Sequence, residues 1–337
     1  MKILYALQGT GNGHVSRARE IVPLLQKLAE VDVFVSGENS QVELPFPITY
    51  RSKGLSFFYN KTGGLDYLKT FQNLQSIRVL QEIRDFPIQK YDLLINDFES
   101  ISAYSALFHK KSCIGFGHQA SFLSPKTPRP AHKELLGETV LKKYAPCSQA
   151  IGLHFDCFDS FIHKPVIRAD VRNLEVSQKN HITVYLPHYH HQILCPIFQK
   201  FKEIEWHIFT RNVQNKERQA NTWLCPIQSE DFLASLASSL GIITGAGFES
   251  PAEAIFLGKK VMAIPICGQY EQACNAAALQ KLGVCVVDKI GKNFEMQLQN
   301  WLEKYQALHI DYPDNSLRIL ENIVEKREIG IKTLKIA

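Results

Sequence analysis

This sequence predicts an α/β protein built from two Rossmann-like, doubly wound parallel sheets, and three observations predict it. Short apolar runs alternate with segments of helical periodicity through the first half. The alternation restarts after Lys164-Pro165. In both halves a glycine-rich turn follows a strand at the point where a helix begins. Two such halves face each other across a cleft at the carboxyl ends of their strands, where open α/β sheets bind ligands.

In chain order, residues 2–8, 31–36, 91–96, 112–116 and 150–154 read as the strands of the first half. Between them Ala18, Ile21, Val22, Leu25 and Leu28 recur at helical spacing, as do apolar residues within 65–84 and 99–109. Pro23 inside the first helix should kink it. A polar stretch reaching Asn180 precedes the second set of strands, at 182–186, 206–210, 222–225, 240–244, 260–265 and 284–287. Residues 315–327 carry the pattern of an amphipathic helix. The 337 residues suffice for two domains of roughly 150 each. We place the first at 1–165 and the second at 180–314.

Composition narrows the function. With 45% hydrophobic and 21% charged residues the chain is an ordinary globular protein, and a net charge of +5 is too mild to indicate nucleic acid. None of the eight cysteines falls in C-x-x-C spacing, which suits free thiols in a reducing compartment. The apolar stretch at 3–7 is too short for a signal peptide, and no run approaches the roughly 20 apolar residues of a membrane span. These features place the protein in the cytoplasm.

The richest segment follows the strand at 240–244. Gly245 and Gly247 let a ligand approach the backbone without a Cβ in the way, and Ser250-Pro251 opens a helix whose free N–H groups and dipole favour a diphosphate. Glu253, in the first turn, is placed to accept bonds from ribose hydroxyls. Ser250-Pro251-Ala252-Glu253 equally fits a capping box, with the glutamate turned back on its own backbone. After the strand at 260–265, Glu271, Gln272 and Asn275 open an alanine-rich helix, and a carboxylate beside an amide suits neighbouring sugar hydroxyls.

The first strand runs into Gly9-Thr10-Gly11-Asn12-Gly13-His14. A dinucleotide fingerprint wants a glycine where His14 stands, so a nicotinamide enzyme is not expected. Asp97 and Glu99 follow the third strand; they would orient His14 or act as base, and Asp97 could as easily cap the next helix. His118 and Gln119 follow the fourth strand and would line the same cleft or serve a turn. Pro187-His188-Tyr189-His190-His191 ends the first strand of the second half, with no carboxylate or cysteine close by to complete a metal site. Arg211, after the next strand, offers a cation to a phosphate.

These motifs resemble GT-B glycosyltransferases, in particular the group containing the UDP-N-acetylglucosamine transferase of peptidoglycan synthesis and the UDP-glucuronosyl and glucosyl transferases. The resemblance rests on Gly247, Ser250 and Glu253 followed by Glu271-Gln272-Ala273-Cys274-Asn275-Ala276, and on the pattern Gly9 to Arg17, G-x-G-x-G-H-x-x-R. It implies a cytoplasmic enzyme that moves a sugar from a nucleoside-diphosphate sugar, UDP-linked by preference, to a hydroxyl acceptor, with inversion and without metal or cofactor. Gly247 and Ser250 would then meet the diphosphate, Glu253 the ribose, Glu271, Gln272 and Asn275 the sugar, and His188 and Arg211 the nucleotide. His14 would be the base with Asp97, while Gly11, Gly13, Arg17, Glu99, His118 and Gln119 would form the acceptor side. The resemblance also implies that the helix at about 315–330 packs back on the first domain. One departure is that Gly245-Ala246 stands where many relatives carry His or Arg, so the diphosphate needs a cation from elsewhere. No Asp-x-Asp motif occurs, in keeping with metal-independent chemistry. A UDP-sugar 2-epimerase of the same fold and a non-catalytic sugar-nucleotide-binding subunit are the alternatives.

Two segments are candidates for the acceptor. Residues 120–145 mix apolar and basic side chains, among them Phe122, Leu123, Lys126, Arg129, Lys133, Leu135, Leu136, Lys142 and Lys143. They would rest on the inner face of an anionic membrane and meet a lipid-linked acceptor, or form a proline-rich loop and an ordinary helix. Phe57-Phe58-Tyr59 and Gly63-Gly64 form the other loop.

Overall fold

The structure is a computed structural model that describes residues 1–37, 44–54, 76–325 and 330–334. The loop containing Phe57-Phe58-Tyr59 and Gly63-Gly64 lies outside the described residues. The first sheet contains β1 (Lys2–Gln8), β2 (Glu30–Ser36), β3 (Tyr50–Ser52), β4 (Leu93–Asp97), β5 (Cys113–Gly117), β6 (Gln149–Leu153) and β7 (Ile162–His163). The second contains β8 (His181–Tyr185), β9 (Glu205–Thr210), β10 (Glu217–Gln219), β11 (Thr222–Pro226), β12 (Gly241–Thr244), β13 (Lys260–Ala263) and β14 (Cys285–Val286). A last strand, β15 (Lys332–Thr333), returns to the first sheet and pairs antiparallel with β6.

In the first sheet the order runs β15-β6-β5-β4-β1-β2-β3, with β7 beside β6. The chain builds outward from β1 through β2 to β3, then returns to the other side of β1 with β4. The second sheet, β10-β11-β9-β8-β12-β13-β14, repeats this reversal between β8 and β12. At each reversal the outgoing loops diverge and open a crevice. Ile3 to Leu7 of β1 are all fully buried, as a strand covered on both faces requires.

The antiparallel edges β10 and β15 make both sheets mixed rather than wholly parallel. Helix α1 (Asn12–Gln26) starts after β1 and continues through Pro23 as one element. It buries Val15, Ala18, Ile21, Val22 and Leu25, the periodicity visible in the sequence. Helix α2 (Ser100–Phe108) follows β4, and α3 (Leu135–Lys143) lies between β5 and β6. In the second half α4 (Glu249–Phe256) follows β12 and α5 (Tyr270–Lys281) follows β13. Helix α6 (Ser316–Val324) packs against α1, with Ile319, Leu320 and Ile323 in the same apolar cluster as Val15 and Ile21. Phe122 and Leu141 of the first half pack on Tyr270 and Cys274 of the second. Among the described residues no helix is long and apolar enough to cross a membrane.

Candidate functional site

The two crevices face each other across a cleft of about 920 Å³. Its walls are the β1–α1 loop, His118 and Gln119 after β5, Tyr185 at the end of β8, Arg211 after β9, the start of α4, and the Gln269–Gln272 turn after β13. Arg168, in the linker between the halves, also lines it, as do Leu44, Pro45, Phe232 and residues 227–229.

On the first wall, Gly11 adopts φ 105 at the N-cap of α1, a conformation that favours glycine. It starts the helix so that His14 and Arg17, one turn apart, both reach Asp97 at the end of β4. His14 Nδ1 lies 2.8 Å from Asp97 Oδ1. Arg17 donates from Nε to Oδ2 at 2.9 Å and from Nη2 to Oδ1 at 3.0 Å. Gly117 (φ 141) is needed opposite, because a Cβ there would sit 2.6 Å from Asp97 Oδ1. Burial would raise the Asp97 carboxyl, but Arg17 and His14 outweigh it and hold it down at about 2. Arg17 Nη2 also approaches Nδ1, at 3.2 Å, but the shorter contact is with Asp97, and an ionised carboxylate only accepts, so that contact selects the neutral His14 tautomer with the proton on Nδ1 and the lone pair on Nε2.

Glu99 does not face the cleft. Phe98, at φ 57, turns the chain so that Asp97 points to His14 and Glu99 folds over the start of α2. Its buried carboxylate accepts from the N–H groups of Ile101 and Ser102 at 2.7 and 2.6 Å and from the Ser102 hydroxyl at 2.6 Å. It is the helix cap rather than an acceptor-side residue.

On the second wall, a Cβ on Gly247 would meet no protein atom; the space beside it is the cleft. No side chain caps α4, which begins at Glu249, so its first N–H groups remain available. Glu253 does not form the capping box: it is 3% exposed and accepts from Arg168 Nε at 2.6 Å and Nη2 at 3.0 Å. Glu271 accepts twice from Gln119 Nε2, at 3.0 and 3.1 Å. Gln272 accepts from the Ile266 N–H at 3.0 Å and donates to Gln269 at 2.9 Å, which fixes it at the cleft edge.

Asn275 does not reach the cleft. It is fully buried, donates to the Ala246 carbonyl at 3.1 Å and lies 2.8 Å from His118 Nε2, tying the glycine turn to the opposite half. His118 stacks on Phe248 at 4.0 Å; burial pushes its imidazole below the usual range, against the pull of Glu271. His188 is not among the cleft-lining residues. Its ring is partly buried beside Tyr189, and burial lowers it to about 4. Among the described residues no group of three or more histidine, cysteine or carboxylate side chains has a metal-holding arrangement.

Two of the cleft residues that the sequence did not single out form ion pairs there. Arg168 pairs with Glu253, and Glu249 accepts from Arg17 Nη1 at 2.6 Å. Glu249 was legible only as a carboxylate next to Ser250; nothing local pointed to Arg168.

Against known proteins, a family model described as glycosyl transferase family 1 matches residues 1–305. The structure is similar to the glycosyltransferase SnogD from Streptomyces nogalater (TM-score 0.55, 15% identity, covering 97% of this chain and 94% of that one). It is also similar to a UDP-glucosyltransferase from Polygonum tinctorium capable of glucosylating indoxyl (TM-score 0.60, 14% identity, 96% and 98% covered). A third is UGT89C1 of Arabidopsis thaliana, solved with UDP (TM-score 0.58, 13% identity, 97% and 94% covered). At these identities the likeness is one of fold, and the fold is GT-B. No curated protein matches the sequence.

Proposed function

The chain belongs to glycosyl transferase family 1, and from that premise we propose that it is an inverting, metal-independent enzyme moving a sugar from a UDP-sugar to a hydroxyl acceptor. The observation that carries this reading is the His14–Asp97 pair on one wall of the cleft, opposite the open start of α4 on the other. His14 Nε2 takes the proton of the acceptor hydroxyl as that oxygen attacks the anomeric carbon. The bond from that carbon to the diphosphate oxygen breaks, its electron pair leaves with the nucleotide, and the configuration inverts. Asp97, already ionised, stabilises the imidazolium that forms; a positioned base of this kind contributes about 10²- to 10⁴-fold.

Residues 180–314 would hold the donor. Gly247, Ser250 and the N–H groups of α4 receive the diphosphate, with Arg211 supplying charge that a divalent ion supplies elsewhere. Glu253 with Arg168 meets the ribose, and Glu271 with Gln272 the sugar hydroxyls. Residues 1–165 would hold the acceptor. Leu135 and Leu136 are 82% and 60% exposed within the exposed run 131–136 and are flanked by Lys133, Lys142 and Lys143. This favours an acceptor carried on an anionic membrane face.

A calorimetric screen of UDP-, GDP- and dTDP-sugars identifies the donor, and the anomeric configuration of the product, read by NMR, tests inversion. Replacing His14 with Ala should abolish turnover while UDP still binds, and unchanged turnover overturns the assignment. Added chelator should leave the rate unaltered.

A further inference from the structure

Helix α4 carries two carboxylates one turn apart, and each is held by an arginine from outside the second sheet. The two pairs differ. Arg168 grips both oxygens of Glu253, whose side chain is 4% exposed. Glu249 takes a bond from Arg17 Nη1 at 2.6 Å, while Nε and Nη2 of the same guanidinium are held by Asp97. The Glu249 side chain keeps 21% exposure toward the cleft and lies against Gly13. A carboxylate thus stands at the uncapped start of a helix, paired with a buried cation that reaches across from the other half, in a place suited to a phosphate.

Building on the donor-binding reading above, we propose that Glu249 is a proton-linked placeholder for the donor's diphosphate. When the donor binds, Arg17 Nη1 passes from the Glu249 carboxylate to a phosphate oxygen, and Glu249 takes up a proton from solvent. The groups facing Glu249 make the exchange costly without that proton. Arg17 and His14 face it from α1, Asp97 from the end of β4, and Glu253 from its own helix. Tyr5 of β1 and Arg168 of the linker lie within electrostatic reach. Once Arg17 turns to the phosphate, an ionised Glu249 would face Asp97, Glu253 and the diphosphate, with Arg168 already committed to Glu253. Burial, opposed by Arg17 and reinforced by Glu253 and Asp97, already pushes the Glu249 carboxyl up to about 7. Departure of Arg17 raises it further, so donor binding draws a proton wherever Glu249 begins ionised.

The test is calorimetry of UDP binding to the full chain in buffers of different ionisation enthalpy, from about pH 7.5 to 9, where the terminal phosphate is fully ionised. Wild type should take up a proton, and its affinity should fall by up to about tenfold per pH unit. Glu249→Gln should abolish the uptake and bind UDP about tenfold more tightly than wild type at about pH 8. Uridine, which has no phosphate, should bind both proteins equally and without proton uptake. Proton uptake that persists in E249Q, or that accompanies uridine, overturns the proposal while leaving the donor-binding reading intact. Failure of UDP and of other nucleoside diphosphates to bind overturns the donor-binding reading itself, and the exchange with it.

Discussion

Asp97 holds His14 through Oδ1 at 2.8 Å while Arg17 grips both oxygens of the same carboxylate. The guanidinium keeps Asp97 a weak base, which suits it to orient and stabilise the imidazole rather than to take its proton. Asp97→Asn should therefore lower kcat by about 10³- to 10⁴-fold, by removing the charge and the tautomer control, while UDP still binds. The same variant tests a pH effect of defined sign. A carboxyl depressed from 3.8 to about 2 contributes stability that is present above about pH 4 and lost as pH falls through about 2. That contribution is about 2 kcal/mol, and acid titration of unfolding should find the loss in wild type and not in D97N.

Glu253 is buried against the partly buried Arg168, so removing the arginine strands the carboxylate. Arg168→Met should destabilise the protein by about 3 kcal/mol in denaturant unfolding, because among the described residues Glu253 has no second ion-pair partner. Adding Glu253→Leu to R168M should restore much of the stability but not donor affinity. That split separates structural support from ligand contact.

How much of this was legible depended on the range over which each signal acts. The glycine turns, the strand runs and the helical periodicity of Ala18 to Leu25 are local, and the main strands and helices followed within a few residues of the expected bounds. β3, β7, β10 and β15 escaped because a two- or three-residue strand carries too little apolar alternation to register; Glu217 to Gln219 is wholly exposed. The ion pairs escaped for a different reason: Arg168 lies 85 positions from Glu253, and Arg17 lies 232 from Glu249. No spacing rule links such residues before the halves fold. Asp97 and Glu99 were indistinguishable as acids after a strand, and the backbone reversal at Phe98 separates their roles.

Glu99 offers a control on that separation. Its carboxylate satisfies two N–H groups and a hydroxyl at the start of α2, away from the cleft. Glu99→Ala should cost about 2 kcal/mol of stability through the lost cap and leave KM for donor and acceptor unchanged at temperatures where the variant stays folded. A kinetic defect without a stability defect would return Glu99 to the acceptor side.

Leu135 and Leu136 stand at the start of α3, where Gly137 packs so closely on Tyr270 that a Cβ would lie 2.5 Å from its ring. Tyr270 lies between Gln269 and Glu271 of the cleft wall, so Gly137 ties the start of α3 to the second half next to that wall. Phe122 and Leu141 of the same segment are buried and Arg129 is held by Glu138, so the part left to meet a membrane under the proposed reading shrinks to 131–136 with the lysines beside it. Two exposed leucines and a few lysines would give only a weak, salt-sensitive contact, each lysine adding about 1 kcal/mol near an anionic surface. The protein should sediment with phosphatidylglycerol vesicles at low salt and not with phosphatidylcholine vesicles. Leu135→Ser with Leu136→Ser should release it without altering UDP affinity. Equal sedimentation of the variant and wild type would assign the acceptor to free solution and leave these leucines as ordinary exposed side chains.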